Sequence, residues 1–352
     1  MSIFGSKTRQ GAVICGAYGQ ENAGDDAVLS AILQELRRLD KNLPITVMAR
    51  KSSSVARKFG VTAVHPLRIF RWLAAMGRAA LFISGGGSLL QDVTSQRSLW
   101  YYLATIALAK KCGCAVQLYG CGIGPLLRER SRSRTARVLN ACADANTLRD
   151  EDSLALLQKL GVTAPRLLLA ADPALRLPPA GGEREPCFGI VLRPWPELWA
   201  HIPDFAAAAR HAWETYRLPA VLLCLAPEDR VAAGALIAAL EEQAVPCSVR
   251  YHTWRAAPMS LVLSLRLHGL IFALRDGTPA AGVSYDPKVS AFCRDAGFPW
   301  APLHDATAEA LCRLIDEAVH LDTEALSVAA ETLRERERVS ARTAAELLAA
   351  HA

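Results

Sequence analysis

The sequence lacks the features that mark membrane-spanning, zinc-binding and nucleic-acid-binding proteins. No uninterrupted apolar run reaches the ~18 residues that a transmembrane helix needs, and the short polar start, residues 1–10, predicts no signal peptide. Cys112-Gly113-Cys114 has one intervening residue where zinc and redox motifs have two, and no second cysteine pair stands at a metal-site distance. The formal net charge of +6 is too diffuse to indicate nucleic acid without a stripe of basic and aromatic residues.

The composition indicates a globular protein with reduced thiols. Hydrophobic residues make up 51% of the chain and charged residues 21%, which is not the composition of a disordered protein. Most of the ten cysteines lie inside apolar runs, as Cys15 and Cys224 do, and unpaired buried thiols predict a cytoplasmic protein. At 352 residues the chain exceeds the convenient size of a single core, so two domains are expected.

Short apolar strands alternate with helical patterns along the whole chain. In the first half, strands are predicted at 12–16, 45–48, 80–84, 115–119 and 145–148, with a helix at 25–39. After a segment rich in proline and glycine, strands are predicted at 188–192, 220–225, 261–265 and 280–283. This alternation predicts an α/β fold in which helices cover parallel sheets.

We therefore predict two Rossmann-like domains that face a cleft. Residues 1–175 form the predicted N-terminal domain, 176–186 a linker, 187–322 the C-terminal domain and 323–352 a helical tail. In sheets of this kind, ligands bind at the carboxyl ends of the strands, here in the cleft between the domains. The turns that follow the predicted strands are therefore the candidate sites.

The strand ends of the second half carry a group that suits an anionic substrate. Arg266 and His268 lie at a strand-to-helix turn, where unpaired N–H groups and the helix dipole favour negative charge. Tyr285 and Lys288 follow the next strand, and Arg193 follows the first with a planar fork of donors. The alternative is that both arginines are surface residues and that His268 is a satisfied core histidine.

Two glycine-rich turns follow strands of the first half. Asn22, Asp25 and Asp26 surround the start of a helix, where the acids can accept hydrogen bonds from sugar hydroxyls; simple N-capping by Asp25 is the alternative. Gly85-Gly86-Gly87 costs backbone entropy, which suggests either a loop that a ligand approaches closely or a flexible structural turn. The glycine spacing of the first of these turns, the one that contains Asn22, is not that of a dinucleotide-binding fingerprint.

These residues together resemble the polysaccharide pyruvyl transferase family, and within it the CsaB type that acts on secondary cell wall polymer. The resemblance covers nearly the whole chain, and the order of its motifs makes it specific. The motifs are Asn22-Ala23-Gly24-Asp25, the glycine segment 84–90, Leu148-Arg149-Asp150-Glu151-Asp152-Ser153, Ala171-Asp172-Pro173-Ala174, Arg193-Pro194-Trp195, Arg266-Leu267-His268 and Tyr285-Asp286-Pro287-Lys288.

The resemblance implies a fold like that of the B-type glycosyltransferases. It also implies an enzyme that transfers the enolpyruvyl group of phosphoenolpyruvate to a sugar as a cyclic ketal and releases phosphate. The C-terminal domain would bind phosphoenolpyruvate and the N-terminal domain the sugar acceptor. Because fixed cations offset the charge of the donor, no cofactor or metal is expected.

Within that reading, each candidate residue has an expected role. Arg193, Arg266 and Lys288 supply donors for the carboxylate and the phosphate, with Tyr285 beside them. His268 is the expected general acid, and direct binding of phosphate is its rival role. Either Asp25 or Asp26 is the expected base, and Asn22 with the glycine segment 85–87 lines the acceptor side.

Two other classes of protein remain possible at this point. A nucleotide-sugar glycosyltransferase shares the fold, but it usually needs an acidic residue near the Arg266 helix to hold the ribose, and only Asp276 stands there. A sugar-binding protein without activity would not need Arg193, Arg266, His268 and Lys288 together.

The resemblance further implies an acceptor saccharide linked to a lipid, and hence peripheral contact with the inner face of the membrane. Residues 68–78 mix arginines with bulky apolar residues, and the arginines between 128 and 137 could attract anionic headgroups. A core-packing helix and a solvated helix are the alternatives for these two segments.

Overall fold

The computed structural model describes residues 9–251, 255 and 257–351, and the chain divides into two units. The first unit comprises residues 9–20, 25–176 and the chain from Leu333 onward. The second comprises Leu177–Thr332 together with the short segment Glu21–Gly24. The predicted absence of a signal peptide rests mainly on residues 1–8, which lie outside the described residues.

The described residues of the first unit form a seven-stranded parallel sheet with helices on both faces. Its strands are β1 Ala12–Cys15, β2 Ile45–Met48, β3 Thr62–Val64, β4 Leu81–Leu90, β5 Ala115–Ile123, β6 Ala145–Leu148 and β7 Arg166–Leu169. Its helices are α1 Ala23–Leu39, α2 Ser52–Phe59, α3 Ile69–Arg78, α4 Gln96–Lys111, α5 Glu129–Cys142 and α6 Glu151–Lys159. The strand order is β3-β2-β1-β4-β5-β6-β7, and a short 3₁₀ helix, Pro173–Arg176, ends the unit's main segment.

The described part of the second unit forms a six-stranded parallel sheet in the order β10-β9-β8-β11-β12-β13. Its strands are β8 Glu185–Val191, β9 Ala220–Cys224, β10 Cys247–Tyr251, β11 Met259–Ser264, β12 Ala280–Ser284 and β13 Trp300–Pro302. Its helices are α7 Leu198–Tyr216, α8 Asp229–Glu242, α9 Leu267–Arg275, α10 Pro287–Ala296 and α11 Ala308–Val319, and α12 Thr323–His351 follows. The two parallel sheets confirm the predicted α/β class.

The glycine segment of the first unit is a strand, so the predicted turn at 85–87 is wrong. β4 continues to Leu90, with Gly85 paired to Tyr119 and Gly87 to Cys121 before the register shifts. Gly86 has a φ of +64°, and a β-carbon there would collide with the side chain of Val28 on α1. Glycine is therefore needed because the strand passes directly against this helix.

Helix α12 completes the first unit although it lies at the far end of the chain. The Gln117 amide of β5 donates to the Ser340 carbonyl at 2.9 Å, and the Ser340 hydroxyl donates to Thr147 of β6 at 3.0 Å. Glu337 is fully buried on the same helix, where burial raises its pKa well above the usual value and Arg176 at 3.7 Å opposes that shift.

All ten cysteines are free thiols, and seven of them are buried. Burial raises the pKa of Cys15 to about 11, even though Thr105 and Tyr101 hydrogen-bond to it and oppose the shift. The pKa of Cys224 is likewise raised to about 11 by burial. Such thiols stay protonated and unreactive at neutral pH, as expected for structural cysteines.

Candidate functional site

The carboxyl edge of the second sheet collects the predicted donor-binding residues. Arg193 follows β8, Arg266 and His268 follow β11, and Tyr285 and Lys288 follow β12. These strands are consecutive in the order β8-β11-β12, so their ends are neighbours. The strand-to-helix turn predicted at Arg266 is confirmed, because β11 ends at Ser264 and α9 begins at Leu267.

Arg266 is a buried residue and not a surface cap. Only 8% of it is exposed, and its Nε donates to Asp229 Oδ1 at 2.9 Å. Its Nη2 also donates to Asp229, and to Glu228 Oε1 at 2.8 Å. The second oxygen of Asp229 accepts the backbone N–H groups of Leu225 and Ala226 at 3.0 Å each. Arg266 is therefore held by a carboxylate that is itself fixed to the end of β9.

The acidic pair at the start of α8 is the part of the site that sequence reasoning missed. Asp229 is 1% exposed, and burial raises its pKa, while Arg266 pulls in the opposite direction. Burial also acts to raise the pKa of Glu228, but hydrogen bonds from its own N–H and from Arg266 hold that pKa below its usual value. The available signal was two adjacent acids separated by three residues from the end of an apolar strand, close to the position where ligands bind in such sheets.

Arg193 and Lys288 both lie close to the ring of Tyr285. Arg193 Nη1 donates to the Tyr285 hydroxyl at 2.7 Å, and its guanidinium lies 5.3 Å from the ring centroid. Lys288 Nζ lies 6.0 Å from the same centroid and forms an ion pair with Asp286 at 2.8 Å. The Trp195 ring stacks at a tilt on Tyr285, with centroids 4.7 Å apart. Tyr285 thus holds Arg193 by a hydrogen bond, and Asp286 holds Lys288.

His268 lies in the first turn of α9 and is half-buried. Its ring lies 5.9 Å from that of Phe272, and Gly24 of the same unit lies against its imidazole. A β-carbon at Gly24 would collide with Nδ1, so this position requires glycine. The position of His268 at a helix start beside Arg266 favours a site residue over the alternative of a core histidine.

Asn22 acts as the cap of α1. Its Oδ1 accepts the N–H of Gly24 at 2.9 Å, and the N–H of Ala23 donates to the Leu225 carbonyl at 2.7 Å. The alternative prediction, that Asp25 caps this helix, is wrong because the helix begins two residues earlier than expected. Binding of substrate by Asn22 stays a prediction.

The two candidate bases of the first unit differ in their surroundings. Asp26 is buried and forms an ion pair with Lys58 Nζ at 2.7 Å. Asp25 is half-buried and faces the glycine segment, since a β-carbon at Gly87 would lie 3.6 Å from its Oδ1. Tyr18 donates its hydroxyl to the Gly85 carbonyl at 2.8 Å and so fixes the segment. The geometry therefore favours Asp25 over Asp26.

A buried arginine, Arg149, is hydrogen-bonded to the glycine segment. Arg149 follows β6, and its Nη2 donates to the Ser88 hydroxyl at 2.8 Å. Its guanidinium also pairs with Asp150 at 3.4 Å and with Asp172 at 3.5 Å. Three of the motifs that carry the family resemblance thus meet at one guanidinium, which sequence order alone does not reveal.

Two absences hold for the part of the chain that the structure describes. No three His, Cys, Asp or Glu side chains there are grouped in a way that could hold a metal ion. No helix among residues 9–251 and 257–351 combines the length and the apolar character that crossing a bilayer requires.

Solved structures share this fold at low sequence identity. HepE from Anabaena, in complex with UDP and glucose, aligns at a TM-score of 0.62 with 12% identity over 97% of this chain and 100% of its own. UDP-GlcNAc 2-epimerase from Neisseria meningitidis aligns at 0.60 with 11% identity over 95% and 99%. The lipopolysaccharide outer core galactosyltransferase WaaB aligns at 0.57 with 11% identity over 95% and 99%. These proteins show a fold of the B-type glycosyltransferase kind.

Sequence comparison gives the family. No curated protein is similar enough to this chain to count as a relative. The family described as polysaccharide pyruvyl transferase matches residues 22–245, which is more than half of the chain and runs from the cap of α1 through β9 and α8. This chain belongs to the polysaccharide pyruvyl transferase family.

Proposed function

We propose that this protein transfers the enolpyruvyl group of phosphoenolpyruvate to a sugar as a cyclic ketal and releases phosphate. The observation that carries the proposal is the gathering of Arg193, Arg266, His268 and Lys288 at one sheet edge. Phosphoenolpyruvate carries a carboxylate and a phosphate, and such a pair of anions needs several fixed donors. We assign the donor to the second unit and the acceptor to the first.

The proposed reaction needs one acid and one base. A sugar hydroxyl attacks C2 of phosphoenolpyruvate while His268 protonates the methylene carbon, which becomes a methyl group. Asp25 accepts the proton of that hydroxyl. The C2–O bond to phosphate then breaks, the second hydroxyl attacks C2, and its proton leaves with the phosphate. Neither step consumes an oxidant or a reductant, and we expect no cofactor or metal.

The rival function, transfer from a nucleotide sugar, is less well supported by the surroundings of Asp276. This residue directly follows the helix that begins after Arg266, and it is the acid there that could hold a ribose. Its Oδ2 pairs with Arg275 at 2.7 Å, its Oδ1 accepts the N–H of Ala180 at 2.9 Å, and its side chain is only 8% exposed. Asp276 is thus engaged in local structure.

The decisive experiment separates the three classes by the product released. Purified protein is incubated with an extracted glycolipid and either phosphoenolpyruvate or a panel of UDP-sugars, and both phosphate and nucleotide are assayed. We expect phosphate release only with phosphoenolpyruvate and only when the glycolipid is present. Nucleotide release from a UDP-sugar would establish the rival glycosyltransferase, and release of neither would indicate a sugar-binding protein.

We also propose that the acceptor is a lipid-linked saccharide of the kind used by the CsaB type, met at an anionic membrane surface. At the start of α3, Leu67 is 82% exposed and Phe70 is 88% exposed. The neighbouring Arg68 and Arg71 are exposed as well. At the start of α5, Leu127 is 62% exposed, next to arginines that are also exposed. Both helices pack on the same face of the first sheet, and each begins beyond a strand's carboxyl end.

Such a surface favours lipid, because exposed apolar side chains insert at the headgroup level while arginines attract anionic lipid at about 1 kcal/mol each. Co-sedimentation with anionic vesicles checks this. Binding is expected at low salt, and it should fall with added salt, with Phe70→Ser and with charge reversal at Arg130 and Arg134. Charge reversal at the exposed Arg313 of α11 is the matched control. Protein that ignores anionic vesicles at low salt would contradict docking through this surface.

A further inference from the structure

Two of the three cations predicted to bind the donor already have carboxylate partners. Arg266 is paired with both Asp229 and Glu228, and Lys288 is paired with Asp286. The three cations and three carboxylates therefore sum to a neutral group, and not to the surplus of three positive charges that the sequence suggested. A trianionic donor would bind more tightly to this group if one of the carboxylates moved away from its cation.

Glu228 is more exposed than Asp229 and has fewer hydrogen-bond partners, so it is the carboxylate that can move away from Arg266. The Asp229 side chain is 1% exposed and accepts two backbone N–H groups in addition to Arg266. The Glu228 side chain is 54% exposed, and its partners are one hydrogen of Arg266 Nη2 and its own N–H. Rotation of the Glu228 side chain into water therefore leaves Arg266 held and neutralised by Asp229.

The position that Glu228 occupies is built for an anion. Its carboxylate lies at the start of α8, where the helix dipole favours negative charge. Arg266 donates to it directly, and the charge of Arg193 also reaches it, since both arginines lower its pKa. A carboxylate or phosphate oxygen of a ligand in this position would receive the same Nη2 hydrogen and feel the same two charges.

We propose that Glu228 is an internal competitor of the donor, occupying the anion position on Arg266 in the ligand-free protein and yielding it when the donor's carboxylate or phosphate binds. The identity of the donor rests on the proposed function, whereas the competition concerns any anion of this chemistry. Before an anion binds, Glu228 keeps Arg266 hydrogen-bonded and oriented. It lowers the affinity for the donor, because the ion pair between Glu228 and Arg266 must break when the donor binds.

The test is Glu228→Gln, which removes the negative charge and keeps the shape of the side chain. Titration calorimetry with phosphoenolpyruvate and with inorganic phosphate should show about tenfold tighter binding of each, equivalent to about 1.4 kcal/mol. Glu242→Gln at the exposed far end of the same helix has the same charge change and should leave both affinities unaltered. Glu228→Ala serves as a second variant and should also bind both anions more tightly.

The direction of the effect separates competition from a supporting role. Unchanged or weaker binding of both anions in Glu228→Gln and Glu228→Ala would overturn the proposal, because removal of a competing carboxylate must tighten the binding of an anion at its position. Tighter binding of inorganic phosphate without tighter binding of phosphoenolpyruvate would uphold the competition and contradict phosphoenolpyruvate as the donor.

Discussion

His268→Ala is expected to lower kcat for ketal formation by about 100-fold to 10,000-fold, the range that general acid catalysis contributes. The loss should appear with little change in the free energy of unfolding, because His268 is half-buried in the first turn of α9 and not in a core face. Phosphate release under saturating donor and glycolipid measures kcat, and urea unfolding measures stability. A kcat within a few fold of the parent protein would remove His268 as the acid.

His268→Gln distinguishes the two roles of this residue. Glutamine can donate a hydrogen bond to phosphate but cannot protonate carbon. If His268 is the acid, the glutamine variant should keep its affinity for the donor, while its kcat should fall as far as in the alanine variant. Recovery of most of kcat by glutamine would instead assign His268 to phosphate binding.

Arg266→Ala is expected to lower the free energy of unfolding by about 3–5 kcal/mol, because it leaves the buried Asp229 without its charged partner. Donor binding should also be lost, since the same guanidinium belongs to the proposed donor site. Urea unfolding measures the first effect and titration calorimetry the second. Arg250→Ala is the matched control, because its ion pair with Glu185 is about one-third exposed and should contribute about 1 kcal/mol or less.

A double-mutant cycle shows whether the loss of stability in Arg266→Ala comes from the broken ion pair between Arg266 and Asp229. Adding Asp229→Ala to Arg266→Ala removes the stranded carboxylate and should recover part of the lost stability, although the N–H groups of Leu225 and Ala226 then lose an acceptor. A strictly additive double mutant would mean that the two side chains stabilise the fold independently, contrary to the geometry.

Periodic patterns in the sequence predicted much of the fold. The strands at Ala12–Cys15, Ile45–Met48 and Ala145–Leu148 were found within a residue of their predicted bounds, because apolar runs between helical patterns are a local signal. The glycine segment was mistaken for a turn, since its strand conformation depends on pairing with β5 and on passage against α1.

The partners of Arg266 were not predictable from local pattern. Glu228 and Asp229 lie 38 and 37 residues away in sequence, and they meet Arg266 only because β9, β8 and β11 lie side by side. Charge counting along the chain therefore overstated the positive charge available to a substrate. Long-range ion pairs of this kind are set by strand order, which a single sequence does not display.

The return of α12 to the first unit has a consequence for the order in which the protein is made. Gln117 and Thr147 leave the ribosome about 200 residues before Ser340, which joins them in the finished unit. At about 5–20 residues per second, the first sheet waits roughly ten seconds or more for its last helix. During that interval the Gln117 amide of β5 lacks the Ser340 carbonyl that later accepts from it, and the part of the sheet that α12 covers stays open. We therefore expect chaperone binding to concentrate on this sheet.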